Sequence, residues 1–266
     1  KNSNDNLMWY NPISETFGSG ITKFQSMFLN TMNDYYSVSC IIEDMVISEN
    51  CLIGRVRKSK EVKGTLADND YCLYLVLKQN PNKDYTFIIH NVTDGQGGLE
   101  HINSTTLSVN RYTYQGDNYL GFLSLVAHEY FHLWNVKRIR AFELGPFNYD
   151  QEAYTSLLWV MEGFTSYYDE LILLRAGFYT DQQYMNKFFS TLNYVEGSVG
   201  ARVQPVAHAS FDAWIKSYRP NENSANTQMS YYSRGGIIAA LLDAMIIKKY
   251  NGEKCLDHFL QGLYAK

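Results

Sequence analysis

The 266 residues are 45% hydrophobic and 15% aromatic, enough to build a sizeable core in one large domain or two closely packed lobes. A formal net charge of −4 and a pI near 5.9 leave no basic field for nucleic acid. No run approaches the roughly 18 apolar residues of a membrane span, and the opening KNSNDNLMWYNP has no apolar segment of the signal-peptide kind.

The chain begins at Lys1 without an initiator methionine, which reads as a mature or trimmed form; cytoplasmic and periplasmic locations both stay open. Cys40, Cys51, Cys72 and Cys255 are scattered without a CxxC spacing, so they suggest neither a zinc knuckle nor a redox pair, and no disulfide pairing follows from them.

Residues 1–65 are polar with short apolar runs, CIIEDMVI and CLIGRV, and no single period dominates. The basic stretch Arg55 to Lys63, interrupted by Glu61, reads as a solvated loop or strand end. From Tyr71, YCLYLVLKQ is an apolar run ended by Asn80-Pro81-Asn82, and KDYTFIIHNV is a β-branched and aromatic strand. TDGQGGLEHINSTTLSV reads as a glycine-rich turn leading into a Thr/Ser/Val strand.

After residue 116 the period changes to that of helices. Residues 117–135 place Leu120, Leu123, Val126 or Ala127, and Phe131 at three-to-four spacing. A second helix, YTSLLWVMEGFTSYYDELILLRAG, has Thr155 or Ser156 as its cap and Gly177 past its end, and further helices are expected at 181–194 and 234–250. There is no internal repeat and no linker. The expected class is α+β: an N-terminal portion 1–116, sheet-rich from about residue 66, and a helical lobe 117–266, together one catalytic unit.

The first helix carries HEYFH at 128–132. With 6 histidines and 13 glutamates in 266 residues, chance supplies roughly 0.007 such HExxH matches. On a helix, residues i and i+4 share a face, so His128 and His132 can present both imidazoles to one zinc ion, while Glu129, about 100° further round, can act on a water beside it. The plain alternative is that each imidazole donates to a nearby carbonyl.

A catalytic zinc takes a third protein ligand and keeps one position open. Glu162, a charge among Leu157, Leu158, Trp159, Val160, Met161 and Phe164, fits best, because an unpaired carboxylate is costly to bury and a metal-bound one is not. The alternative is an exposed helix face. Asp169, two turns on, is placed to accept the second ring N–H of a ligand histidine, and Glu170, off that face, reads as solvated.

HEYFHLWNVKRIR, LWVMEGFTSYYDEL, GGLEHINST and SYYSRGG together resemble the glycyl aminopeptidase family of gluzincin zinc metallopeptidases, and the resemblance runs from about Tyr85 to Ile247. It implies a thermolysin-like catalytic domain of two lobes with zinc in the cleft, His128, His132 and Glu162 as ligands of one ion, and Glu129 as general base. It further implies that GQGGLEH is the glycine-rich exopeptidase motif, with Gly97, Gly98 and Glu100 binding substrate and Glu100 holding its free α-amino group. Tyr232 then resembles the tyrosine that donates to the oxyanion, with Arg234 where relatives have lysine and Tyr231 as its rival. Ala141 stands where relatives have proline, which puts a local turn in doubt. Relatives also carry an N-terminal β-rich domain and a C-terminal PDZ domain.

The implied reaction is release of a small first residue, Gly or Ala, from a peptide with a free N-terminus. The competing readings are a thermolysin-type endopeptidase and a non-catalytic peptide-binding domain; Glu100 discriminates the first, and Glu129, not needed as a ligand, counts against the second.

Overall fold

The computed structural model describes residues 9–11, 16–18, 40–48, 51–58 and 81–265 except 83 and 115, with side chains from residue 81 onward apart from Asp117. The expected strand YCLYLVLKQ lies outside the described residues. The chain divides into two compact units, Lys1–Leu133 with Arg175–Phe178, and Trp134–Leu174 with Tyr179–Lys266.

The first unit is built on a sheet ordered β3-β4-β5-β7-β6, from β3 (Cys40–Ser48), β4 (Cys51–Lys58), β5 (Asp84–Val92), β6 (Gln96–Glu100) and β7 (Ser104–Asn110). A separate antiparallel pair joins β1 (Trp9–Asn11) and β2 (Thr16–Gly18). In β3 the pairing with β4 shifts register between Glu43 and Met45, and an extra residue there reverses the phase of any alternation, which explains why no period shows in CIIEDMVI.

β5 is the strand its composition predicts. Tyr85, Phe87 and Ile89 alternate into the core, as do Thr105, Leu107 and Val109 on β7, its parallel neighbour. The glycine-rich segment between them differs from expectation: Gln96–Glu100 is not a turn but an edge strand, paired antiparallel to β7 from Gln96↔Val109 to Glu100↔Thr105. Ladder hydrogen bonds hold it extended where its glycines alone would not.

Helix α1 (Asp117–Phe131) belongs to the same unit. Leu123, Val126, Ala127 and Phe131 are fully buried, and the rings of Tyr85 and Phe87 meet Tyr130 at 4.8 and 5.9 Å between centroids. Leu123, Val126 and Phe131 each contribute ~1.5–3 kcal/mol on burial, so this face fixes the rotation of α1.

The second unit is helical: α2 (Leu158–Arg175), α3 (Asp181–Gly197), α4 (Gly200–Val203), α5 (Val206–Phe211), α6 (Ser224–Thr227), α7 (Tyr231–Lys249) and α8 (Leu256–Tyr264). Thr180 caps α3 with a reciprocal bond to Gln183, and Gly177, past the end of α2, takes φ +74, which suits glycine. α2 and α7 meet backbone to backbone: a Cβ on Gly163 would stand 2.4 Å from the Gly235 Cα, and one on Gly235 2.4 Å from the Trp159 carbonyl. Buried Asp243 of α7 ties the bundle, accepting from the Leu256 amide at 2.7 Å and the Tyr167 hydroxyl at 2.5 Å. Among the described residues no helix is long and apolar enough to cross a membrane.

Candidate functional site

In the first unit the last turn of α1 is buried almost all round, and Glu129, 4% exposed, places a carboxyl group there in the core. His128 and His132 lie side by side on the helix, ring centroids 4.7 Å apart and nearly perpendicular, as their i, i+4 spacing predicts. The His132 amide donates to the His128 carbonyl at the helix end.

β6 runs beside this turn. A Cβ on Gly98 would stand 2.3 to 2.4 Å from the carboxyl group of Glu129, so only glycine lets the strand backbone come this close. Gly97 takes φ +153, again a conformation that suits glycine. One residue past Leu99, the Glu100 carboxylate lies with that of Glu129 and the His132 imidazole in a group whose donor atoms are within 4.8 Å of one another. Two carboxylates this close attract a cation between them. The strand end is pinned by Thr105 Oγ1 donating to Leu99 O at 3.1 Å and by the His101 amide donating to Ser104 O at 2.8 Å.

In the second unit Glu162 is half-buried just past the first turn of α2, among buried Met161, Gly163, Phe164 and Thr165. Fully buried Asn135, three residues past His132, holds this turn: its Nδ2 lies 3.1 Å from Val160 O, 2.8 Å from Met161 O and 3.1 Å from Thr165 Oγ1. Asp169 is buried two turns on.

Tyr232 lies in the first turn of α7, which Ser230 caps by accepting from the Ser233 amide at 3.2 Å. Its phenol is pushed far above the usual range, first by burial and then by the negative charge of Glu162, so it keeps its proton. Tyr231, the rival, is 1% exposed and packs with Ala209 and Ala213 in the core; the two rings stack at 4.7 Å. Arg234 donates to the Ala201 and Gln204 carbonyls at 2.9 and 3.0 Å, fixing the entry to α7. Ala141 takes φ −60, ψ 140, and that φ is one the proline ring also adopts.

Residues 121–238 match the M61 glycyl aminopeptidase family, a segment that includes His128, Glu129, His132, Glu162 and Tyr232. Over that segment the chain is similar to the family its motifs suggest. Among solved structures, the M61 segment and its flanks resemble an aminopeptidase N family protein from Idiomarina loihiensis, 37% identical over 73% of this chain, with a TM-score of 0.70. The chain spans 34% of that protein's length. No curated protein matches it. Glu100 lies outside the segment matched to the glycyl aminopeptidase family.

The sequence reading missed Asn135 and the anchoring role of Arg234. Their acceptors lie 25 to 33 positions away along the chain, so no local pattern reveals them. Glu170, expected to be solvated, instead pairs with Lys187 at 2.7 Å.

Proposed function

We propose that the chain is the catalytic part of a zinc aminopeptidase, with a thermolysin-like arrangement of sheet and helical parts. The close approach of Gly98 to Glu129 carries the reading most, because it sets a strand edge, to which an extended peptide can add, beside a buried carboxylate on the HExxH helix. The donors fit zinc: two imidazoles and one carboxylate, from His128, His132 and Glu162, leave one position open. When bound, the ion supplies Lewis-acid polarisation of the scissile carbonyl.

The chain's own groups do the rest. Glu129 takes a proton from the attacking water as its oxygen bonds to the carbonyl carbon, then gives that proton to the leaving amine as the C–N bond breaks. Tyr232 donates its phenol proton in a hydrogen bond to the oxygen that becomes negative. Glu100 pairs with the substrate ammonium and so sets cleavage one residue from the end; its nearness to Glu129 makes that corner attractive to a cation. Asp169 accepts from a ligand imidazole. Glycine or alanine is the preferred first residue.

The test compares free and N-acetylated alanine peptides with the zinc-loaded protein. Cleavage of the free peptides alone, lost in Glu129→Gln and in Glu100→Ala, supports the reading. Equal cleavage of acetylated peptides would instead establish an endopeptidase.

A further inference from the structure

A cavity of about 630 Å³ lies wholly within the second unit, between the end of α3, α6 and the residues that lead into α7. Small-molecule sites fall in the range of roughly 300–1,000 Å³. None of the residues proposed above to bind zinc or peptide lines this cavity. We infer that it binds a neutral sugar of one or two rings, a function separate from the peptidase reading.

The walls select the ligand by elimination. Among the described residues lining the cavity, Lys216 alone is charged, and Asp212 holds its ammonium at 2.7 Å, so an ionic ligand meets a charge already matched. Backbone groups of the wall are spent within the protein. The Gln204 and Gln228 amides donate to Gly200 O and Ser224 O at 2.9 and 2.8 Å, and Ser230 O accepts from the Arg234 amide at 3.0 Å. An extended peptide relies on such groups for its main-chain hydrogen bonds, so it is poorly served here.

Side-chain amides and hydroxyls from separate stretches of the chain remain, among them Asn193, Ser198 and Ser217. Gln204 is 6% exposed, and its Oε1 accepts from the Met229 amide at 2.9 Å; this fixes the plane of the side-chain amide and leaves Nε2 as the donor it offers. Gln228 is the complement: its Nε2 donates to Ser224 Oγ at 3.0 Å, which leaves Oε1 as an acceptor. Tyr194, 55% exposed, adds a flat apolar ring with a hydroxyl at its tip. Fixed amide donors and acceptors suit neighbouring hydroxyls, and a tyrosine ring suits the C–H face of a pyranose. A ligand that is uncharged, rich in hydroxyls and apolar on one face is a sugar.

The experiment titrates maltose, lactose and N,N′-diacetylchitobiose into the protein by calorimetry, with glucose 6-phosphate, glucosamine and N-acetyl-Ala-Ser-Ala amide as anionic, cationic and peptide controls. At least one of the three disaccharides is expected to bind with a Kd of about 1 mM or below. Asn193→Ala, Tyr194→Ala and Gln204→Glu each weaken that binding by roughly twofold to tenfold, the loss of one hydrogen bond or ring contact. Gln204→Glu keeps an oxygen for the Met229 amide and removes the Nε2 donor, while Asn193 and Tyr194 are exposed, so their variants keep the fold, with Tm as the check. Failure of all three disaccharides to bind, or binding that none of the variants weakens, overturns the assignment. So does tighter, Tyr194-dependent binding of any of the three controls. Glu129→Gln is titrated in parallel: unchanged sugar binding there supports a cavity separate from the proposed peptidase site, and lost binding overturns it. Because binding needs no turnover, failure of the peptidase reading leaves this result unaffected.

Discussion

Gly98→Ala is the sharpest perturbation of the proposed site, because one methyl group is enough. Its Cβ would stand 2.3 Å from the Glu129 carboxyl carbon, where ordinary contacts begin near 3.4 Å, so one partner must move by about 1 Å. The strand backbone is held to β7 on one side, so the carboxylate yields first. A general base displaced by ~1 Å loses roughly 100-fold in rate. The loss should appear in kcat with little change in KM, since ground-state binding does not need the proton transfer. Steady-state hydrolysis of an alanine peptide measures it, and zinc content and thermal melting are run in parallel. Gly98→Ala protein that binds zinc, melts like the wild type and keeps kcat within about twofold would refute the placement of Glu129 against β6.

Three further outcomes are expected. Tyr232→Phe removes a donor to the oxyanion and lowers kcat by about 100-fold while Tyr231→Phe does not, as measured with the same peptide; equal losses in the two would remove the distinction between a site tyrosine and a core one. Asp243→Ala leaves the Leu256 amide and the Tyr167 hydroxyl unpaired, costing roughly 3 kcal/mol and lowering Tm by about 5–10 °C, and a calorimetric Tm within about 2 °C of the wild type would refute a tying role. Asn135→Ala releases the turn of α2 that carries Glu162 and weakens zinc binding by about tenfold in competition with a chelating dye; unchanged affinity would make Asn135 a packing residue only.

Features written locally in the sequence could be read from it. His128, Glu129 and His132 share one helix turn, so a spacing rule places them, and β5 announces itself by alternation. Glu162 was legible as a charge among apolar neighbours. Other features depend on partners far along the chain. β6 looks like a turn because two glycines depress strand propensity, and only its pairing with β7 makes it an edge strand. The need for glycine at 98 is set by a carboxylate 31 residues later, and the need for amide donors at Asn135 by carbonyls on another helix. In β3 a register shift hides the period altogether.

The most direct test of the central claim is the zinc content after dialysis of the wild type and four variants. Two groups of side chains are candidates to hold the ion: the proposed His128, His132 and Glu162, or Glu100, Glu129 and His132. We expect about one zinc per chain in the wild type, Glu100→Gln and Glu129→Gln, and little in His128→Ala and Glu162→Gln. Zinc retained in the last two and lost from the glutamine variants of Glu100 and Glu129 would make Glu129 a ligand, and the proposed general base would be contradicted.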